Sequence, residues 1–159
     1  MIVYRNLFLF SLIFAILVLP SCWGGRVEKK KDLAIVNVLD KEEFDDCHIA
    51  GSISIPLEKI KSEAEKKIDK NADVVLYCSN YMCASSGIAR KHLMQMGYKK
   101  VFVYKGGTAE WKQKGFSVVG PCKKGYLKIK LEMPNKKVES YVLTVDQLKA
   151  KIDALKRKA

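Results

Sequence analysis

Hydrophobic positions along this chain fall into short dense runs separated by stretches of helical spacing. "LAIVNVL" (33–39) is a β-branched run flanked by charge and predicts a buried strand. "KEEFDD" predicts one helical turn, and "ISIPL" a brief extended piece closed by Pro56. Leu57, Ile60, Ala64 and Ile68 then recur at helical steps among Lys and Glu, as on an amphipathic helix. "DVVLYC" (73–78) predicts the next buried strand. Ile88, Ala89, Leu93 and Met96 line one face of a following helix, and Gly97 stands where its C-cap belongs. "KVFVY" (100–104) predicts a third strand, and "GGTAEWKQKG" a Gly-hinged short helix ending at Gly115. Strand alternating with helix implies an α/β domain over 33–120, a central, mostly parallel sheet flanked by helices on both faces.

The two ends read differently. "MIVYRNLFLFSLIFAILVLPSCWGG" carries one Arg5 and a nearly unbroken apolar run from Leu7 to Leu19. A helix of that length spans only about 20 Å, short of the roughly 30 Å hydrocarbon core. The run predicts a secretory signal over 1–21, followed by a linker over 22–32. Leu19-Pro20-Ser21-Cys22 resembles the bacterial lipobox, so Cys22 is the candidate lipidation site. The expectation is export to the periplasmic or cell-surface side with membrane anchoring through Cys22. The alternative is an ordinary signal, or an uncleaved anchor with an incidental cysteine.

Net charge is +12, and residues 121–159 supply +7 of it, with eleven cations against four acids. Those lysines are scattered and no aromatic platform interleaves them, which argues against a nucleic-acid partner. An exported chain can form disulfides, so Cys47, Cys78, Cys83 and Cys122 have three full pairings open to them. The Cys78-x4-Cys83 spacing has no second ligand pair, and the histidines are His48 and His92, so no metal site is expected.

The chemistry concentrates in "VVLYCSNYMCASSGIARKHLMQMG" (74–97). Ligands in open parallel sheets gather beyond the carboxyl ends of the strands. Cys78 stands at such an end, directly before a helix N-terminus whose amides and dipole favour negative charge. A free thiol with a pKa of about 8.5 ionises more readily there. Cys78 is therefore placed to be a nucleophile; the plain alternative is a buried strand-end hydrophobe.

Four blocks carry a resemblance: "IVNVLDKEEFDDCHIAGSISIPL" (35–57), "VVLYCSNYMCAS" (74–85), "MGYKKVFVYKGG" (96–107) and "GGTAEWKQKGFSV" (106–118). In order and spacing they resemble the rhodanese-like family of sulfurtransferases, across roughly residues 33–120. The resemblance implies that Cys78 takes sulfane sulfur as a persulfide and passes it on, splitting one difficult transfer into two steps. Ser79, Asn80, Tyr81, Met82, Cys83 and Ala84 match the active-site loop, whose amides would stabilise the anion. It implies no metal or organic cofactor. Partners would be a small sulfur donor with a thiol or cyanide-like acceptor, or a partner protein's thiol.

The chain departs from the family in ways that bear on substrate. Cys83 stands where the loop usually ends in a basic residue, and no Lys or Arg lies between Cys78 and Arg90. A dianion such as thiosulfate favours a nearby cation, which makes it a doubtful donor. Asn37 and Leu39 replace the usual charged pair, and Cys47 a small residue before His48. Cys83 also opens a redox relationship with Cys78, since two thiols flanking a tight loop can close as a disulfide. His48 is expected to shape a turn, His92 to lie at a helix surface, and Trp111 to pack the short helix. Gly106 and Gly107 are expected to allow close approach and positive φ.

A member of this family usually opens with a strand and helix that are missing here ahead of Leu33. "YLKIKLEM" alternates like an edge strand, and "YVLTVDQLKAKIDALKRK" places Leu148, Ile152 and Leu155 on one helical face, with Thr144 or Asp146 as N-cap. Residues 121–159 are thus expected to complete the domain, against the alternative of an appended tail. Two functions remain: a sulfurtransferase working through Cys78, or an inactive module serving thiol redox or binding. A cysteine-loop phosphatase is disfavoured because the loop lacks the phosphate-binding Arg.

Overall fold

The computed structural model describes residues 32–130 and 139–157. The signal segment 1–21, Cys22 and nearly all of the linker lie outside the described residues. No helix among the described residues is long and apolar enough to cross a membrane.

The chain runs β1 (Leu33–Asn37), α1 (Lys41–Asp46), β2 (His48–Ile49) and β3 (Ile53–Ser54), then a 3-10 turn at Leu57–Lys59 leading into α2 (Ile60–Lys67). It continues through β4 (Asp73–Tyr77), α3 (Ser85–Gln95), β5 (Val101–Tyr104), α4 (Gly107–Gln113) and β6 (Val118–Val119). A second 3-10 turn at Gly125–Lys128 precedes β7 (Val142–Leu143) and α5 (Val145–Lys156). The main sheet has five strands in the order β3-β1-β4-β5-β7. Every pairing in it is parallel. A small antiparallel ribbon joins β2 to β6.

Both sheet faces are covered, which is why β4 is apolar from Val74 to Leu76. On one face Val36, Val74 and Leu76 pack with Ile60, Ala64, Ala89 and Leu93 of α2 and α3. On the other, Ile35, Val75 and Tyr104 pack with Trp111, Leu148 and Ile152 of α4 and α5. Residues 74–78 are buried throughout, so β4 forms a rigid central spine whose exit lies at Cys78.

The C-terminal segment packs on the domain through a different strand from the one its alternating pattern suggests. No strand forms over Tyr126–Lys130: Gly125–Lys128 is a 3-10 turn, and residues 131–138 lie outside the described residues. Gln113 Nε2 donates to both Leu127 O and Ile129 O at 3.0 Å, taking carbonyls a sheet ladder would need. The added strand is β7, whose Val142 and Leu143 pair with Val103 and Tyr104. Thr144 is the N-cap of α5, in a reciprocal capping box with Gln147. Arg90 stacks 3.6 Å from the Tyr141 ring centroid, and Lys151 pairs with Asp73 at 2.6 Å, tying the segment to α3 and β4.

A Cys47–Cys122 disulfide with a sequence separation of 75 staples the start of this segment to the end of α1. The β2–β6 ribbon brings the two cysteines together. Gly120 lets the chain pass, since a Cβ there would lie 2.4 Å from Asp46 O. Asp46 then accepts the amides of Lys123 and Lys124 on its carboxylate, and these bonds hold its pKa below the ordinary value.

Candidate active site

The loop from Cys78 to Ala84 leaves β4 at the carboxyl edge of the sheet and runs into the N-terminus of α3, where the sequence placed it. It is held from outside by α4. Thr108 N donates to Cys78 O and Ala109 N to Ser79 O, both at 3.0 Å. This contact needs Gly107, whose φ is +62° and whose Cβ would fall 2.4 Å from Cys78 O. Gly106, by contrast, has an ordinary φ of −62°, so the expected positive φ belongs to Gly107 alone.

Within the loop, Asn80 makes the turn. Its carbonyl accepts Cys83 N at 3.1 Å and its Oδ1 accepts Met82 N at 3.0 Å. The fold-back brings Cys83 over Cys78. Both thiols are free, Cys78 buried and Cys83 half-exposed. Met82 at the loop tip is 79% exposed, while Tyr81 and Asn80 turn inward.

The expectation of a reachable, ionised Cys78 is corrected here. Cys78 is 0% exposed, and its thiol donates to Cys83 O at 3.5 Å and to Ser86 Oγ at 3.6 Å. A hydrogen bond to the Cys83 sulfur, then burial, push its pKa far up. The same hydrogen bond, received from Cys78, drives the Cys83 thiol down to about 5. The Ser85 hydroxyl and the Ser85 and Ser79 amides add to that lowering. The greater exposure of Cys83 favours the charge on that sulfur, and burial disfavours it on Cys78. Cys78 is not without donors, because the Ser86 hydroxyl and amide both favour its ionised form.

A sequence profile of the rhodanese-like domain matches residues 25–114, more than half of the chain. The chain belongs to the rhodanese-like domain family. It is 34% identical over 84 residues to thiosulfate sulfurtransferase GlpE of Coxiella burnetii, covering 53% of this chain and 76% of that protein. A sulfurtransferase of Allochromatium vinosum is 30% identical over 96 residues, covering 60% and 87%. Among solved structures, the BH2092 protein of Bacillus halodurans matches with a TM-score of 0.54 at 30% identity, over 57% of this chain and 66% of that one. The rhodanese-like domain of the Alr3790 protein from Anabaena matches with a TM-score of 0.51 at 27% identity, over 60% and 93%.

The rhodanese-like match ends before β6, so Cys122, β7 and α5 lie beyond it. The other residues singled out in the sequence are structural. His48 stacks on Phe44 with ring centroids 3.8 Å apart and bonds Phe44 O through Nδ1 at 2.7 Å. His92 lies in the last turn of α3, half-buried. Trp111 packs between Tyr104 and Phe116 and donates to Ser117 O at 3.1 Å. Among the described residues no cluster of three or more His, Cys, Asp or Glu is placed to hold a metal ion.

Sequence reasoning missed three contributors. Ser86, in the first turn of α3, accepts the Cys78 thiol on its hydroxyl at 3.6 Å. Lys105, at the exit of β5 on the same sheet edge, sets its Nζ 3.6 Å from where a Cβ on Gly87 would stand. Glu110 receives the Tyr104 hydroxyl at 2.8 Å and a hydrogen bond from Tyr81, so a carboxylate also borders the loop. The strand-end rule, applied to β5 as it was to β4, would have singled out Lys105.

Proposed function

We propose that this chain is an exported, membrane-tethered sulfurtransferase that takes sulfane sulfur as a persulfide onto the Cys78–Cys83 dithiol and passes it to a thiol or cyanide-like acceptor. The observation that carries this reading is a pair of free thiols folded together at the mouth of β4, the Cys78 thiol donating to the Cys83 carbonyl oxygen at 3.5 Å. Cys83, partly exposed and ionised, meets the donor: its thiolate attacks the sulfane sulfur, and the donor's remaining thiolate or sulfite leaves. The acceptor then attacks the outer sulfur and restores Cys83. Fixed amides stabilise the anion before and after each step without rearranging.

Cys78 carrying the persulfide is the second reading, favoured by its place at the strand end; it requires Cys83 to swing clear first. On either route one cation and one carboxylate border the loop, which suits a persulfide donor better than the thiosulfate dianion. Export is supported by the N-terminal pattern and by the Cys47–Cys122 disulfide, since such bonds persist in oxidising compartments.

Intact-mass measurement after incubation with glutathione persulfide or thiosulfate, paired with a cyanide-coupled assay, tests the reading. The expected result is thiocyanate production that depends on the dithiol, together with a gain of one sulfur in the Cys78→Ser variant. A gain in Cys83→Ser instead selects the second reading. No adduct and no thiocyanate with either donor would leave a thiol-redox or binding module.

A further inference from the structure

We propose that the dithiol also reduces the sulfur it captures, releasing hydrosulfide and closing as a Cys78–Cys83 disulfide that a partner dithiol reopens. The inference rests on sulfur entering at Cys83. It arises from a feature that simple transfer leaves unused, a second thiol buried beneath the first.

The residues are arranged for that second step. The Asn80 turn folds Cys83 back over Cys78, whose thiol donates to the Cys83 carbonyl oxygen at 3.5 Å. While Cys83 is ionised, its charge keeps the Cys78 thiol protonated and inert. Once Cys83 carries an outer sulfur, the negative charge moves onto that atom, away from the Cys78 thiol. Cys78 can then ionise with the Ser86 amide and hydroxyl as donors. Capture of sulfur thus switches on the thiol that resolves it.

The Cys78 proton passes to the outer sulfur of the Cys83 persulfide anion. The Cys78 thiolate attacks Cys83 Sγ, the Sγ–outer-sulfur bond breaks, and hydrosulfide leaves with that bond's electron pair. In this step the Cys78 sulfur is oxidised by one electron and the outer sulfur reduced by one; over capture and resolution together, each cysteine sulfur gives up one electron and the sulfane sulfur takes both. Exchange with a protein dithiol restores the two thiols at the cost of oxidising the partner. Among the described residues the other cysteines, Cys47 and Cys122, are already joined, so Cys78 is the thiol left to resolve Cys83.

The test treats the reduced full chain with glutathione persulfide, follows intact mass, and measures released sulfide against the Cys78→Ser, Cys78→Ala and Cys83→Ser variants. The parent protein is expected to release one equivalent of sulfide per chain, to lose two hydrogens in mass, and to turn over repeatedly only when dithiothreitol is supplied. Both Cys78 variants are expected to hold the added sulfur and to release sulfide at least tenfold more slowly. A parent protein that keeps its persulfide and releases no more sulfide than Cys78→Ser would overturn the inference while leaving the transferase intact. Sulfur accumulating on Cys83→Ser would overturn the order of the two thiols. Absence of any sulfur adduct, disulfide or sulfide in all proteins would remove the transferase reading as well.

Discussion

Replacing Gly107 with alanine isolates the contact on which the loop depends. The added Cβ would stand 2.4 Å from Cys78 O and 2.6 Å from Ser79 C and O, where ordinary contact begins at 3.4 Å. The loop backbone must therefore retreat by about 1 Å, stretching the two 3.0 Å bonds from Thr108 N and Ala109 N. Losing two buried hydrogen bonds costs about 2 kcal/mol, and forcing alanine to a φ of +62° adds about 1 to 2 kcal/mol. The sum, about 3 to 4 kcal/mol, should lower the Tm of a chain this size by roughly 10 °C. Sulfur uptake should fall about 100-fold, as displacements of this size do at reacting atoms. Gly115→Ala is the control: its φ is +77° but nothing lies within 4 Å of the new Cβ. It should cost only the backbone term, about 1 to 2 kcal/mol, and leave the loop chemistry alone. Thermal denaturation and the rate of sulfur uptake are measured on both. The reasoning fails if Gly107→Ala is no less stable than Gly115→Ala and takes up sulfur within about twofold of the parent rate.

Cys122→Ser should destabilise the protein by about 4 kcal/mol, the chain-entropy value for a cross-link of separation 75, read by urea denaturation under non-reducing conditions. Full stability without the bond would mean the 121–130 stretch is held by its side chains alone. Leu148→Ala empties a site that is 0% exposed between α5 and the sheet, and should cost about 2 to 5 kcal/mol in the same assay. A loss under about 0.5 kcal/mol would indicate that α5 does not pack on this face.

Much of the fold was legible because two periodicities are written plainly into the chain. β1, β4 and β5 are apolar runs buried on both faces, and α3 announces itself through Ala89, Leu93 and the Gly97 terminator, whose φ is +90°. Position along the chain also sufficed to place the Cys78–Ala84 loop between β4 and α3, because a strand exit followed by a helix start is a local pattern. The C-terminal strand was misplaced for the opposite reason. Alternating Lys and apolar residues at 126–133 resemble an edge strand, whereas β7 is two residues long and exists because β5 offers a free edge. The Cys47–Cys122 pairing depends on a two-strand ribbon and the Gly120 passage, neither visible as a periodicity. The covering of Cys78 by the Cys83 turn was hidden most deeply. It follows from a five-residue turn on Asn80 that exposes the second thiol and covers the first.

Ultraviolet absorbance of the thiolate, titrated in the reduced protein and in each cysteine variant, tests the assignment of charge most directly. With Cys83 lowered to about 5 and Cys78 raised, the parent protein should show one thiolate at neutral pH, lost as pH falls through about 5. Sulfur uptake should follow the same limb, because only the ionised thiol attacks. Cys83→Ser should abolish the neutral-pH signal. Cys78→Ser should keep it, with its midpoint moved upward because the strongest donor to Cys83 has been removed. A thiolate that survives in Cys83→Ser and vanishes in Cys78→Ser would contradict the account.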